Sequence, residues 1–343
     1  MKVKRIGLDL AKNVFELFGV DEQEREVLRK TVRRNKVLAT FAQLPPCVVG
    51  LEACGSAHHW ARELKKLGHE PRLMAPQFVT PYRKNDKNDR NDAEAICEAA
   101  GRPNMRFVPV KGEEQQAVLT VHRARSLLVS ARTALVNHLR GLLSEYGVVM
   151  AQGVATVRKR LPEILEDGEN GLPALAREVF AELYARLCSF DQQIANYDRR
   201  IAQLAQTSEP ARRLMQVEGV GPLTATAIVA TAGDGRQFRN GRQFAAWLGL
   251  VARQRSSGGK ARHGRITKRG DVYLRTLLVH GARALMRHLA EREDRKSRWV
   301  LALKERRGFN KAAVALAAKH ARILWALLAH GSEYQMATAC PAQ

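Results

Sequence analysis

The sequence predicts an α/β domain followed by a longer helical stretch. Three observations predict it. Short apolar runs alternate with helical periodicity over residues 1–110. Apolar residues step by three and four over 112–206, and a helical but strongly basic segment fills 211–330. These shifts place domains at 1–110, 111–210 and 211–343 of a 343-residue chain, long enough to bury a sizeable core.

Residues 3–8 (Val-Lys-Arg-Ile-Gly-Leu) and 14–20 (Val-Phe-Glu-Leu-Phe-Gly-Val) carry the β-branched and aromatic content of strands, with a turn from Asp9 to Asn13. The apolar run at 46–51 predicts a buried strand ending at Glu52. A helix from Ala57 to Leu67, stopped by Gly68, and a strand at 71–74 follow. Farther on, Val121, Ala124, Leu128, Ala131, Leu135, Leu139, Leu142 and Tyr146 form one stripe. Phe180, Leu183, Leu187, Phe190, Ile194, Tyr197, Ile201 and Leu204 form a second, stepping strictly by three and four as a heptad seam does. The segment between, Gly153 to Pro173, is polar and broken by Gly168, Gly171 and Pro173. Two long helices forming a coiled-coil hairpin are therefore expected, the seam being filled within one subunit or by a second copy. Val217 to Pro222, followed by Leu223–Ala230, has the look of a helix-hairpin-helix turn whose glycines let backbone N–H groups approach a phosphate.

Charge narrows the partner. Lys and Arg total 57 against 34 Asp and Glu, a net +23. Residues 1–110 carry 20 basic and 14 acidic side chains, 111–210 carry 12 of each, and 211–343 carry 25 and 8. Such a surplus calls for a polyanion, nucleic acid before an anionic membrane, bound mainly by the last third. No apolar run approaches about 18 residues, so no bilayer span is expected. Asp9 and Lys12 interrupt the apolar N-terminus, which excludes a signal-peptide core. Five cysteines with no Cys-x-x-Cys argue against a disulfide framework or a zinc site and for a reducing cytoplasm.

Four carboxylates stand out. Asp9 ends the first strand, Glu52 ends a later one, and Asp89 and Asp92 open a helix, where a spacing of three puts them on one face. Singly, each has a plain role: a turn residue, or a favourable charge at a helix N-terminus. Together, strand-end carboxylates facing a helix-borne pair build an all-oxygen site suited to Mg²⁺ or Mn²⁺. Two such ions can clamp the attacking and leaving oxygens of a phosphodiester displacement.

Residues 253–270 contain seven Lys or Arg and no acid. Arg253, Arg255, Lys260, Arg262, Arg265, Lys268 and Arg269 are candidate phosphate contacts. Ser256 and Ser257 precede Gly258-Gly259, which predicts a permissive loop. Their hydroxyls either donate to DNA phosphates or supply a nucleophile. A serine nucleophile needs activation, by a nearby metal ion or by His263 as base; His263 serves otherwise as a further phosphate contact.

These segments together resemble the DEDD-type insertion-sequence transposases, the IS-one-ten family, over nearly the whole chain. Ile6-Gly7-Leu8-Asp9-Leu10-Ala11-Lys12, Gly50-Leu51-Glu52-Ala53-Cys54-Gly55 and Lys87-Asn88-Asp89-Arg90-Asn91-Asp92-Ala93 are similar to the three acidic motifs. Glu218 to Pro222, and Ser256 through Gly270, resemble the C-terminal transposase domain. The resemblance implies a RuvC-like, RNase H-type N-terminal domain joined by a coiled coil to a serine-bearing domain. It further implies Mg²⁺ on Asp9, Glu52, Asp89 and Asp92, and a covalent phosphoserine link to DNA. A structured guide RNA would pair with donor and target duplexes. The serine directly before glycine fits the family pattern, so Ser257 takes the nucleophile's role and Ser256 competes for it. Asn88 and Asn91 depart from the Thr and apolar residue common elsewhere in the family.

The expected function is a site-specific DNA recombinase working as a homo-oligomer, dimer or tetramer, with no membrane partner. The rivals are a Holliday-junction-resolving RNase H-like endonuclease using water, a non-catalytic nucleic-acid-binding protein, and an ATPase of the actin and sugar-kinase type. The basic C-terminal third argues against the last.

Overall fold

The computed structural model describes residues 2–84, 88–257, 260–289, 292 and 294–335, except the side chains of 255–257, 260, 261 and 263. The chain folds as two compact units, Met1–Glu113 and Glu114–Gln343.

The first unit is built on β1 (Arg5–Asp9), β2 (Val14–Val20) and β3 (Glu26–Arg33), then a short helix α1 (Val37–Ala42) and β4 (Val48–Glu52). After these come α2 (Ala57–Lys66), β5 (Glu70–Met74), α3 (Pro76–Val79), α4 (Asp89–Ala100) and β6 (Phe107–Val108). The sheet order is β3-β2-β1-β4-β5-β6. β1 runs antiparallel to β2 and parallel to β4, and β4 runs parallel to β5. Strand alternation sorts the faces. Ile6, Leu8, Phe15, Leu17 and Leu51 pack with Phe41, Trp60 and Leu64 of α1 and α2. Gly7 and Gly50, partners in the β1–β4 register, turn to the other face and receive α4. A Cβ on Gly50 would stand 2.7 Å from Ala100 Cβ, and one on Gly7 would overlap the Ala93 carbonyl oxygen. Two arginines fix the far end of α4: Arg5 Nε donates to Cys97 O at 2.7 Å and Arg72 Nη1 to Ala100 O at 3.1 Å. Cations at a helix C-terminus are favourable for its dipole.

The expected strands and the 57–67 helix fall within two residues of the observed elements. β3 is an addition. Its sequence, Glu-Val-Leu-Arg-Lys-Thr-Val-Arg, is largely exposed at the sheet edge and carries little apolar signal.

The second unit opens with α5 (Glu113–Ser144), α6 (Val154–Glu166) and α7 (Ala174–Thr207). Arg132 Nη1 bonds Asp191 at 2.7 Å, and Arg125 pairs with Asp198. The partners run in opposite directions along the chain, so α5 and α7 are antiparallel. On α7, Phe180, Leu187, Ile194 and Ile201 are buried, while Leu183, Phe190, Tyr197 and Leu204 are half-buried. On α5 the buried row is Val136, Leu139 and Leu143, of which only Leu139 belongs to the stripe read from the sequence. The segment read as a polar connection holds a helix, α6, whose Val157, Leu161 and Ile164 step by four and three into that core.

Next come α8 (Glu209–Met215), α9 (Pro222–Ala232), α10 (Gly241–Trp247), a hairpin of β7 (Ala252–Ser257) and β8 (Lys260–Ile266), α11 (Val272–Met286), α12 (Arg295–Arg307) and α13 (Phe309–His330). The α8–α9 turn corrects the phosphate reading of its first glycine. Gly219 sits at φ 81° and a Cβ there would come 2.8 Å from Gly281 O, so this glycine serves backbone packing on α11. His122 of α5 is buried between α9 and α11, with Nε2 3.0 Å from Thr226 Oγ1 and Nδ1 3.0 Å from the Tyr273 hydroxyl. Thr226 already donates to Pro222 O, so His122 Nε2 donates to Thr226 and Nδ1 accepts from Tyr273. α13 bears on the expectation that no segment spans a bilayer. Its 22 residues are long and apolar enough, by length and composition, to cross a membrane. Here Leu316, Ala317, Leu324 and Leu327 are buried in the helical core of this unit.

Candidate active site

The parallel strands β1 and β4 end side by side, and α4 begins over them. That arrangement delivers Asp9 from a strand end and Asp89 and Asp92 from the first turn of a helix. One carboxylate oxygen from each lies within 4.8 Å of the other two. The glycine groove under α4 is what permits this approach. Asn88 fixes the start of the helix: its side chain accepts a hydrogen bond from Asn91 N at 2.8 Å. Thr is also a good cap, so the Asn at 88 preserves the local function.

Asp9 is half-buried and its pKa is pushed up to about 6. Burial is the first cause, and the charges of Asp89, Asp92 and Glu52 are the others; the Leu10 N–H, donating to it, opposes them. Glu52 thus stands near enough to act on Asp9, but it is outside the three mutually close carboxylates. Three hard oxygen donors, crowded and partly desolvated, fit a divalent cation such as Mg²⁺ or Mn²⁺ and suit neither a thiolate-binding nor an imidazole-binding metal.

Two neighbours carry no sequence signal. Arg83 Nη1 reaches Asp92 Oδ1 at 3.3 Å, although nothing in the spacing before Asp89 marks it. The Cys54 thiol pKa is raised, first by partial desolvation and then by the charge of Glu52, with Asp9 adding to it. Ser56, in the same loop, holds φ at 67°, a conformation that non-glycine residues rarely keep without a constraint.

In the second unit, Ser256 and Ser257 lie in strand rather than in a permissive loop. Ser257 is the last residue of β7 and is paired with Lys260. Gly258 and Gly259 lie outside the described residues, as do the side chains of Arg255, Ser256, Ser257, Lys260 and His263. The base of the hairpin is tightly fixed. Thr267 N donates to Val251 O at 2.9 Å and Lys268 N to Gly249 O at 3.1 Å. Gly249 (φ 71°) and Gly270 (φ 93°) press against the backbone of Arg269 and Trp247, where a Cβ has no room. Arg253, Arg262, Arg265, Lys268 and Arg269 are exposed, and none forms an ion pair among the described residues.

Comparison with known proteins agrees with this arrangement. Residues 6–148 match the DEDD transposase profile of the IS110 type, and residues 211–297 match the profile described as transposase IS116/IS110/IS902 family. The chain is 55% identical over 336 residues to a probable family 20 transposase of Pseudomonas aeruginosa, covering 98% of this chain and 99% of that one. It is 46% identical over 333 residues to the transposase for insertion sequence element IS1111A of Coxiella burnetii, covering 97% and 92%. It is 39% identical over 332 residues to the transposase for insertion sequence element IS1328 of Yersinia enterocolitica, covering 97% and 98%. The chain belongs to the IS110/IS116 family of insertion-sequence transposases, enzymes that cleave and rejoin DNA.

Proposed function

We propose that the protein moves its insertion sequence by serine-dependent recombination, with Asp9, Glu52, Asp89 and Asp92 holding Mg²⁺ or Mn²⁺ and Ser257 as nucleophile. The observation that carries the metal assignment is the gathering of Asp9, Asp89 and Asp92 within 4.8 Å. A bound divalent cation supplies electrostatic stabilisation of the oxyanions of a phosphodiester displacement. Ser257 Oγ attacks the phosphorus; its bond to phosphorus forms as the bond to the leaving sugar oxygen breaks. The sugar hydroxyl of an incoming strand reverses the step, so ligation needs no ATP. Asp9, whose pKa is raised in the crowded site, gains most from a cation there. The exposed basic side chains Arg253, Arg262, Arg265, Lys268 and Arg269, flanking Ser257 in sequence, grip the DNA backbone. A structured guide RNA supplies base recognition through pairing, as in other guided systems. The seam of α5 and α7, with Leu183 and Phe190 only half-buried, supports a coiled-coil role in a dimer or tetramer.

The test is to trap cleavage products with Mg²⁺, guide RNA and donor duplex. DNA attached to protein, retained in Ser256→Ala and lost in Ser257→Ala, is the expected result. Free ends without attachment would assign the water-dependent nuclease reaction instead, and attachment surviving Ser257→Ala would remove that residue from the role.

A further inference from the structure

At the sheet end where β1 delivers Asp9, but on the α1–α2 side, lies a second feature. It is an open surface depression of about 540 Å³ lined by Asn13, Val14, Arg33, Arg34, Asn35, His59 and Trp60. Register fixes its place: Asp9 pairs with Glu16 of β2, and Arg33 pairs with Val14 two residues back along that strand. β1 and β3 are separated by two strand spacings, about 10 Å.

The lining contains no carboxylate. This is unusual for the unit, where Arg5, Arg25, Arg29, Arg72 and Arg102 each hold one. Arg33 and Arg34 have no acidic partner among the described residues, yet they are adjacent and Arg34 is held in place. Its backbone N–H donates to Asn13 O at 2.8 Å and its Nη1 to Lys12 O at 3.4 Å. The guanidinium also lies 5.1 Å from the ring of Trp60 and 5.8 Å from that of Phe15. Those contacts leave further N–H donors unused on a fixed fork, and Asn13, Asn35 and His59 add further donors. Neither arginine has a carboxylate to neutralise it among the described residues, and an oxyanion seated there would take that place.

We propose that this depression seats a backbone phosphate of a nucleic-acid strand engaged by the first unit, with Arg33 and Arg34 as its main ligands. The inference rests on the reading of the acidic cluster as the DNA-cleaving centre, and it adds a strand-holding site that the cluster itself lacks.

The full chain is tested with a DNA duplex at several salt concentrations, and in parallel with inorganic phosphate alone. Arg33→Gln with Arg34→Gln should lower the slope of log affinity against log salt by about 0.9, the loss of one phosphate contact. Arg33→Lys with Arg34→Lys should restore most of it, which a merely structural role would not do. An unchanged DNA slope overturns the proposal, and so does loss of inorganic phosphate binding with DNA binding intact, which marks a small-anion site. Strand cleavage is scored separately. A slope that falls in a protein that never cuts DNA upholds the phosphate seat and rejects the reading of the cluster.

Discussion

A Cβ on Gly7 would overlap the carbonyl oxygen of Ala93. The distance between β1 and α4, and hence between Asp9 and the Asp89–Asp92 pair, is set by the absence of a side chain at one strand position. Gly7→Ala should force the helix outward. The expected cost is about 1–3 kcal/mol of stability, the range for overpacking a filled interior. Mg²⁺ or Mn²⁺ should then stabilise the variant less than the wild type in thermal unfolding. Gly55→Ala is the matched control, since a Cβ there meets nothing within 4 Å. Equal metal responses in Gly7→Ala and wild type would contradict the geometric role.

The crowding of carboxylates makes the metal-free site a liability. Asp9 takes its proton near pH 6 when folded, against 3.8 as its ordinary value, so the native state binds more protons between the two. Stability is therefore lost as pH rises through about 6. With a chelator present, Asp9→Asn should melt higher than wild type at pH 8, and the gain should disappear at pH 4. Added Mn²⁺ should raise the melting point of wild type and leave the variant nearly unmoved. A variant no more stable than wild type at pH 8 would show that the like charges are not in conflict.

Two buried histidines give the second unit an acid weakness. Burial lowers the pKa of His122 to about 4, with Arg125 adding to the effect. Burial likewise lowers His320 to about 4; neither of its ring nitrogens has a hydrogen-bond partner among the described residues. An unfolded histidine binds its proton near pH 6.5, so between 6.5 and 4 the unfolded state holds more protons. Stability is complete above about 6.5 and falls towards pH 4, by roughly 3 kcal/mol per histidine. His122→Phe should be less stable at pH 8, because Tyr273 loses its acceptor, and should show a shallower acid decline. Denaturant midpoints from pH 4 to 8 measure both.

The β7–β8 hairpin should bind backbone without reading bases. Arg262→Gln with Arg265→Gln should weaken binding to unrelated duplexes by the same factor. Competition between two duplexes of different sequence checks this. A changed preference would indicate contact with base edges.

Much of the first unit was legible because burial and function used different letters. Leu8 and Leu51 mark strands by their apolarity, and Asp9 and Glu52 mark the strand ends by interrupting it. β3 was illegible because an edge strand needs no apolar face: only Val32 among its residues is buried. α6 was hidden by Pro162 and by its exposed charges, although Val157, Leu161 and Ile164 held the period. The acidic cluster could be read as a pattern of types and order. Arg83 could not, since its link to Asp92 follows no spacing rule. The turn glycine at 219 has two uses that look alike in sequence, close approach to a ligand and close approach to another backbone. Only the position of Gly281 separates them.

The Arg125–Asp198 and Arg132–Asp191 bridges sit one heptad apart on each helix. That symmetry constrains how the element can drift over evolutionary time. An insertion in one arm would slide every rung past its mate unless the other arm grew by the same amount, so length should change here in matched sevens. α6 is tied to the same rung, because its Arg158 also pairs with Asp191, so only the turns on either side of α6, 145–153 and 167–173, escape the rule and are where related elements are free to differ in size.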